Sequence, residues 1–578
     1  LPPLPLPALE GTMHKLLRSA AALDAPDGKM LRELERKVAD FVAKDGVGWR
    51  LQKRLEERKE IVDRTGKGNW LAEWWDLYAY MSYRDTVVGN VSYYYGFPPI
   101  PPRPSPLPNT SPNSGSYHAS SLVLLAFEFR SDILNGTLKP DVAGGAPLCM
   151  ESYKWAYGGC RIPGREADWG TVSHPAEGED PHFVVARRGW YWKVEYREEY
   201  SLEDWMKVFD WIYEKTPSEE AQKVGVLTGI NRDTWAEASD YLKSVSPLNA
   251  ETLHQIQTAQ FFIGLDSTSV PPTNAAVTTP EYNKMIEDWS IRLFLGGEEP
   301  YNRWWDTPLQ WVVEDGGFVG LIGEHSCMDG TPTARLHDWI GQRMLAHDVP
   351  KVSSSPSSLD PSKVASLLKF QGDKTVDSYI SSASKEFADH ATGYNVEFHS
   401  FQEFGKESIK KIGVSPDAFC QMAIQLGYFK THGQVCGTYE SAMTRRFHLG
   451  RTDVVRSCTI ESRKWVEAMV KSDVGLREKK ELFLNAVKSH GRDMKDASKA
   501  EGIDRHILGL KLSVGKDEKT PELFEDALLK KSSTWNLSTS QVYSPVFPAY
   551  GWGPVTQDGY GIPYMIHSES LQWTVTSK

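Results

Sequence analysis

The chain runs to 578 residues, more than one hydrophobic core can organise, so at least two domains are expected. At 40% hydrophobic and 24% charged, its composition is that of an ordinary globular protein and excludes a disordered or fibrous one. Against 65 basic side chains stand 76 acidic ones, a net charge of -11 that argues against nucleic acid as the main partner, although a local basic patch can still hold a small anion.

The sequence opens on LPPLPLPALEGT, without a Met, so the true N-terminus and any targeting peptide are expected to be missing. KMLRELERKVADFV sets Leu31, Leu34, Val38, Phe41 and Val42 at helical spacing, and NWLAEWWDLYAYMSY continues that character with dense aromatics. FPPIPPRPSPLPNTSPNSGS predicts an exposed loop, because its Pro, Ser and Asn residues sustain no regular structure. LQWVVEDGGFVGLIG reads as two strands joined at Asp315-Gly316, with His325 at the end of the second. A second Pro/Ser stretch, Asp348 to Lys363, precedes a short helix-like run and the strand candidate YNVEFHSF. The main domain boundary is expected near residue 370, with α/β or α+β layers on both sides. No apolar run approaches the roughly 20 residues that span a bilayer. The six cysteines show no CxxC spacing, which suggests neither a disulfide framework nor a zinc knuckle and favours a reducing compartment.

His325 lies in IGEHSCMDGTP, where the chain leaves an apolar strand. A neutral imidazole facing a cavity there can take a proton from a hydroxyl near pH 7. The H-x-x-x-D-G spacing to Asp329 and Gly330 is used by acyltransferases in which one His deprotonates the acceptor and a thioester supplies the acyl group. Taken alone, the spacing also fits a hydrogen-bonded strand-end His followed by a turn Asp. A metal held by Glu324, His325 and Asp329 is disfavoured, because adjacent strand residues point to opposite faces.

Further motifs follow. In EFGKESIKK, Lys406 and Lys410 share one helical face, fit either for a phosphate or for plain solvation. TYESAMTRRFHLGRTD mixes hydroxyls with guanidinium groups; Arg451 is the cation expected to pair with Asp329, and Arg445-Arg446 is read as a solvated surface pair. Arg505 in GIDRHILGLKL needs an anion if buried, either a substrate carboxylate or an acid such as Asp504. WNLSTSQV places Ser538, Thr539 and Ser540 in a run too polar for a buried strand unless it meets a ligand.

Together and in this order, these segments resemble the choline/carnitine acyltransferase family along nearly the whole chain. The resemblance implies an α/β fold of two chloramphenicol-acetyltransferase-like domains, each a mixed sheet flanked by helices, with an active-site tunnel between them. One domain is expected to comprise residues 1–85 with 373–578, the other residues 86–372 with the catalytic His. By the same resemblance, His325 is the general base and Ser540 the oxyanion donor, with Asp329 and Arg451 supporting them. Tyr439, Ser441, Thr452, Arg505 and Ser538 are expected around carnitine, and Trp552 beside its trimethylammonium group. Lys406 and Lys410 are expected at the 3'-phosphate of coenzyme A, Asp417 at the adenine and Gln541 at the pantetheine arm. Tyr550 falls where short-chain members carry bulk, which implies acetyl as the acyl group.

Arg505 matches the carnitine-using branch rather than the choline users. Condensation-type enzymes carry a second His where this chain has Glu324. The implied reaction is reversible short-chain acyl transfer between coenzyme A and L-carnitine. Its alternatives are a medium- or long-chain carnitine acyltransferase and a non-catalytic coenzyme A–binding scaffold. Coenzyme A enters as substrate, with no permanent cofactor, no metal and no nucleic acid; a monomer in the mitochondrion or peroxisome is expected. Two departures stand out. Asp329 is one methylene shorter than the family's Glu, and the chain ends at LQWTVTSK before an expected last helix, so either the C-terminus is truncated or the fold closes differently.

Overall fold

The computed structural model describes residues 1–100, 114–270, 275–350 and 359–578. The two Pro/Ser-rich stretches fall largely outside them. Among the described residues, no helix is long and apolar enough to cross a membrane.

Two large mixed sheets organise the chain. The first has eight strands among the described residues, in the order Ala365–Leu368, Trp190–Glu195, His182–Arg187, Phe262–Asp266, Gln310–Glu314, Val319–Glu324, Ser92–Gly96 and Tyr550–Trp552. Alternation explains its apolar strands, because both faces are covered. Trp311 and Val313 pack into one core with the helix Ser114–Leu134, whereas Val312 and Ile322 pack into another with the helix Pro280–Leu295. The expected hairpin is present, and it brings Val319–Glu324 beside Ser92–Gly96, the strand next to the sheet edge.

The second sheet runs Asn395–Phe401, Leu571–Ser577, Tyr560–Ile566, Leu537–Gln541, Thr438–Met443 and Thr452–Arg456. YNVEFHSF is therefore a strand, but the run before it is a helix of 19 residues, Lys374–Thr392, and not a short one. Asp373 caps that helix by accepting from Thr375 and Val376, which lets it start abruptly after Gly372. The N-terminal helices bury Leu16, Leu34, Phe41 and Leu55 against Ile507, Leu510, Phe524 and Leu529 of the C-terminal half.

Three features position the site. Tyr550–Trp552 leaves the C-terminal half to pair with Ser92–Gly96, setting Trp552 opposite Tyr93 and Tyr550 opposite Tyr95. Gly323, also opposite Tyr93, leaves room for its ring, since a Cβ there would lie 2.6 Å from it. The third departs from the expected continuous amphipathic helix: NWLAEWWDLYAYMSY forms a single α-turn, Ala72–Trp75, and then a widened turn, Asp76–Met81, closed by Ser82 N–H donating to Leu77 O. Such five-residue hydrogen bonds re-aim side chains and recur at functional sites.

Candidate active site

His325 emerges from the strand Val319–Glu324 with its backbone N–H on Val91 O at 3.0 Å. Its ring lies flat against Tyr80, centroids 5.4 Å apart and 16° between planes, and edge-on to Tyr93 at 5.1 Å. The side chain keeps 32% of its surface open. That open surface faces a cavity of about 240 Å³ lined from both sheets. Burial lowers the His325 pKa below its ordinary value and Asp329 opposes this only in part, so the ring is neutral at physiological pH.

Asp329 occupies the N-cap position of the helix Gly330–Leu345 without capping it. Its carboxylate is taken by Arg451, whose Nη2 donates to Oδ1 at 2.8 Å and whose Nε donates at 3.2 Å. Arg451 also donates to the carbonyls of His325 and Ser326 and to Asp76. Burial raises the Asp329 pKa and the guanidinium more than offsets it, leaving a carboxylate that stays ionised. The expected pairing is present, and the Asp acts on His325 from 3.8 Å through charge and backbone support. Gly330 is needed because a Cβ there would stand 2.7 Å from the Tyr95 hydroxyl.

The opposite wall is built on period two. Tyr439 and Ser441 alternate outward on Thr438–Met443, and Tyr439 stands level with Ser538 on the parallel neighbour. Ser538 and Ser540 share the cavity face, whereas Thr539 turns inward, accepting from Gln421 and donating to Tyr439 O. The hydroxyls of Ser441, Ser538 and Ser540 have no hydrogen-bond partner among the described residues, so each is free for a ligand. Thr452 completes this wall, and Trp552 and Tyr550 line the cavity from the edge strand of the first sheet. Tyr550 is 2% exposed; its hydroxyl accepts from Val542 N–H and contacts the carbonyls of Ser540 and Tyr564, anchoring the strand that carries Ser540.

Arg505 lies just behind this wall. It is 7% exposed, and its guanidinium donates to Tyr439 Oη at 3.0 Å, Thr452 Oγ1 at 3.2 Å and Thr452 O at 3.0 Å. The acid offered by the sequence is engaged elsewhere, since Asp504 pairs with Arg456 at 2.7 Å. Among the described residues Arg505 has no ion-pair partner; Trp75 stacks beneath it at 3.6 Å. Its hydrogen bonds all go to neutral groups, and the charges of Asp453 and Asp504 act on it only from beyond bonding distance, which leaves the guanidinium able to take an anion.

The expected coenzyme A residues lie outside the cavity. Gln541 is exposed at the strand end, and two residues on, the Tyr543 ring meets the Lys406 ammonium at 5.9 Å. Lys410, on the same six-residue helix Lys406–Lys411, is exposed near Glu407. Asp417 accepts from Tyr564 Oη at 2.6 Å, and burial with Glu440 pushes it up to about 7. His490 donates to or shares a proton with Glu440 at 2.6 Å; burial opposes its charge, but Glu440 raises it to about 8. Asp417, Glu440 and His490 are the one set with metal-compatible spacing among the described residues, yet they and Tyr564 already satisfy one another.

Three contacts escaped the sequence reading. Trp75, Asp76 and Tyr80, on consecutive turns, meet Arg505, Arg451 and His325 respectively. Their signal was the aromatic density of EWWDLYAY. Arg445, read as solvated, is instead 3% exposed and bonded to Asp141 at 2.5 Å and to Cys149 O. Cys327, two residues after His325, is no nucleophile, because burial raises its thiol pKa and keeps it protonated.

The family model described as Choline/Carnitine o-acyltransferase matches residues 4–578. The mitochondrial carnitine O-acetyltransferase of Saccharomyces cerevisiae is 30% identical over 100% of this chain and 84% of its own length. The human carnitine O-acetyltransferase is 32% identical over 98% of this chain and 87% of its own length. The mouse peroxisomal carnitine O-octanoyltransferase is 30% identical over 98% and 90%.

Proposed function

The chain belongs to the choline/carnitine O-acyltransferase family, and from that premise we propose that it transfers a short acyl group reversibly between coenzyme A and L-carnitine. His325 removes the proton from the carnitine 3-hydroxyl, and the alkoxide attacks the thioester carbonyl. The tetrahedral oxyanion is held by Ser540; as it collapses, the C–S bond breaks and the proton passes from the imidazolium to the departing thiolate. No acyl-enzyme forms, because the thioester already activates the acyl group. Residues 1–85 with 373–578 then supply the substrate contacts, and residues 86–372 supply the base. We place the enzyme in the mitochondrion or peroxisome, where the named relatives belong.

The observation that carries carnitine over choline is Arg505, a buried guanidinium bonded to hydroxyls and, among the described residues, without an ion-pair partner, although the charges of Asp453 and Asp504 act on it from farther off. A carboxylate against Tyr439 and Thr452 would lie beside it, with Trp552 facing the quaternary ammonium. The direct test is release of coenzyme A thiol from acetyl-, octanoyl- and palmitoyl-CoA, with L-carnitine or choline as acceptor. In the same assay, Arg505→Gln should raise the KM for carnitine about 10- to 100-fold, the worth of one charged hydrogen-bonded contact. The KM for acetyl-CoA should stay close to that of the parent; equal increases in both would refute the carboxylate assignment.

Acetyl is preferred because Tyr550 fills the space behind the hydroxyl wall, stacked on Tyr95 at 5.8 Å. Tyr550→Gly should raise turnover of octanoyl-CoA relative to acetyl-CoA. Acetyl turnover itself should fall, since the lost hydroxyl anchors the strand bearing Ser540. An unchanged chain-length ratio would place the acyl pocket elsewhere.

A further inference from the structure

On the face opposite His325, the strand end is gripped by a residue that is not itself part of the cavity lining. Arg161 is fully buried on the strand Gly159–Ile162. Its Nη1 donates to Ser326 Oγ at 2.8 Å and Glu324 Oε1 at 3.2 Å. Nη2 donates to the carbonyls of Tyr80 at 3.0 Å and Tyr83 at 3.3 Å. Nε is fixed by Asp168 at 2.7 Å, which Arg84 and Arg232 also hold. Ser326 donates in turn to Glu324 and its N–H bonds Glu324 Oε2. One guanidinium thus ties the residues on both sides of His325 to the turn whose Tyr80 ring is stacked on the imidazole.

We propose that Arg161, acting with Glu324 and Ser326, is a positioning residue that sets the imidazole of His325 in line with the acceptor hydroxyl. The geometry is two-sided. Glu324, the last residue of the strand, and Ser326, in the bend after it, are absent from the cavity lining, and Arg161 holds both from behind. Arg451 holds the carbonyls of His325 and Ser326 from the other side. Between the two guanidinium groups, the backbone that carries His325 has little freedom, and Tyr80 is placed by the same fork. A displacement of about 1 Å at such a base costs on the order of 10²-fold in rate. This inference rests on the reading of His325 as the base.

The test uses Ser326→Ala, Glu324→Gln and Arg161→Lys in the full chain, beside His325→Ala. Positioning predicts a kcat about 10- to 100-fold lower in each clamp variant, with the KM for both substrates nearly unchanged. Ser326→Ala alters no charge, so it also reports on the environment of the ring. The groups facing that ring are Asp329, Arg451, Tyr80 and Tyr93. If the Tyr80 stack loosens, water reaches the imidazole, its lowered pKa rises, and the acid limb of kcat/KM moves to higher pH. A purely structural role lowers the melting temperature but leaves kcat and the acid limb of the folded protein at parent values, which overturns the proposal. Retained activity in His325→Ala would instead overturn the assignment of the base. Because removing a buried Arg fork can prevent folding, Ser326→Ala and Glu324→Gln decide between positioning and a purely structural role.

Discussion

Replacing His325 by Ala should lower kcat by about 10²- to 10⁴-fold, the usual contribution of a positioned general base, and should leave the fold intact. The ring can be removed without great cost to stability because a third of it already faces the cavity. Nothing nearby replaces it. Asp329 is held by Arg451, and Cys327 stays protonated. The pH profile carries the same information. Only the neutral ring accepts a proton, and burial lowers its pKa from the ordinary 6.5, so the parent remains active to below that pH. Activity then falls as pH drops through the lowered value, whereas the residual activity of the variant lacks this limb. Steady-state thiol release from acetyl-CoA with L-carnitine measures both, and a thermal melt confirms folding. Near-parent turnover in a folded variant would end the assignment.

The residues that meet around the cavity were named through the resemblance of their motifs to a family, and strand alternation gives the physical reason that several of them share a face. Once TYESAM and LSTSQ are strands, Tyr439 with Ser441 and Ser538 with Ser540 must share faces, whatever the rest of the fold does. The link from Asp329 to Arg451 was legible for another reason: a buried carboxylate needs a cation. The remainder was not, and the cause is physical. Helical spacing over NWLAEWWDLYAYMSY cannot reveal that the helix widens after Trp75, since a single five-residue hydrogen bond leaves the composition unchanged. That widening decides where Tyr80 points. Charged side chains gave the other errors, because an Arg is solvated or buried according to partners far along the chain. Arg445, read as solvated, is buried instead by Asp141 and the Cys149 carbonyl. The same dependence decides Arg505 in the opposite sense, because its neighbour Asp504 is drawn to Arg456.

Ser540→Ala should lower kcat about 10²- to 10³-fold, some 2.7–4 kcal/mol of barrier, with much smaller changes in either KM. The Ser540 hydroxyl faces the cavity. It has no partner among the described residues, although its own backbone carbonyl is fixed by Tyr550 and its strand is paired on both sides. A donor held still by its strand and facing the cavity can turn to the thioester oxygen, and its bond strengthens as charge builds there. Ser538 serves as the internal control. It shares the face and is equally unpaired, but it stands level with Tyr439, in the row that faces the expected carboxylate. Ser538→Ala should therefore act mainly on the KM for carnitine, and Ser540→Ala on kcat. Measured at saturating acetyl-CoA across a range of carnitine concentrations, the two variants separate binding from catalysis on one strand. If both substitutions changed only the carnitine KM, the oxyanion would have to be held by a different group, and the role assigned to Ser540 would fall.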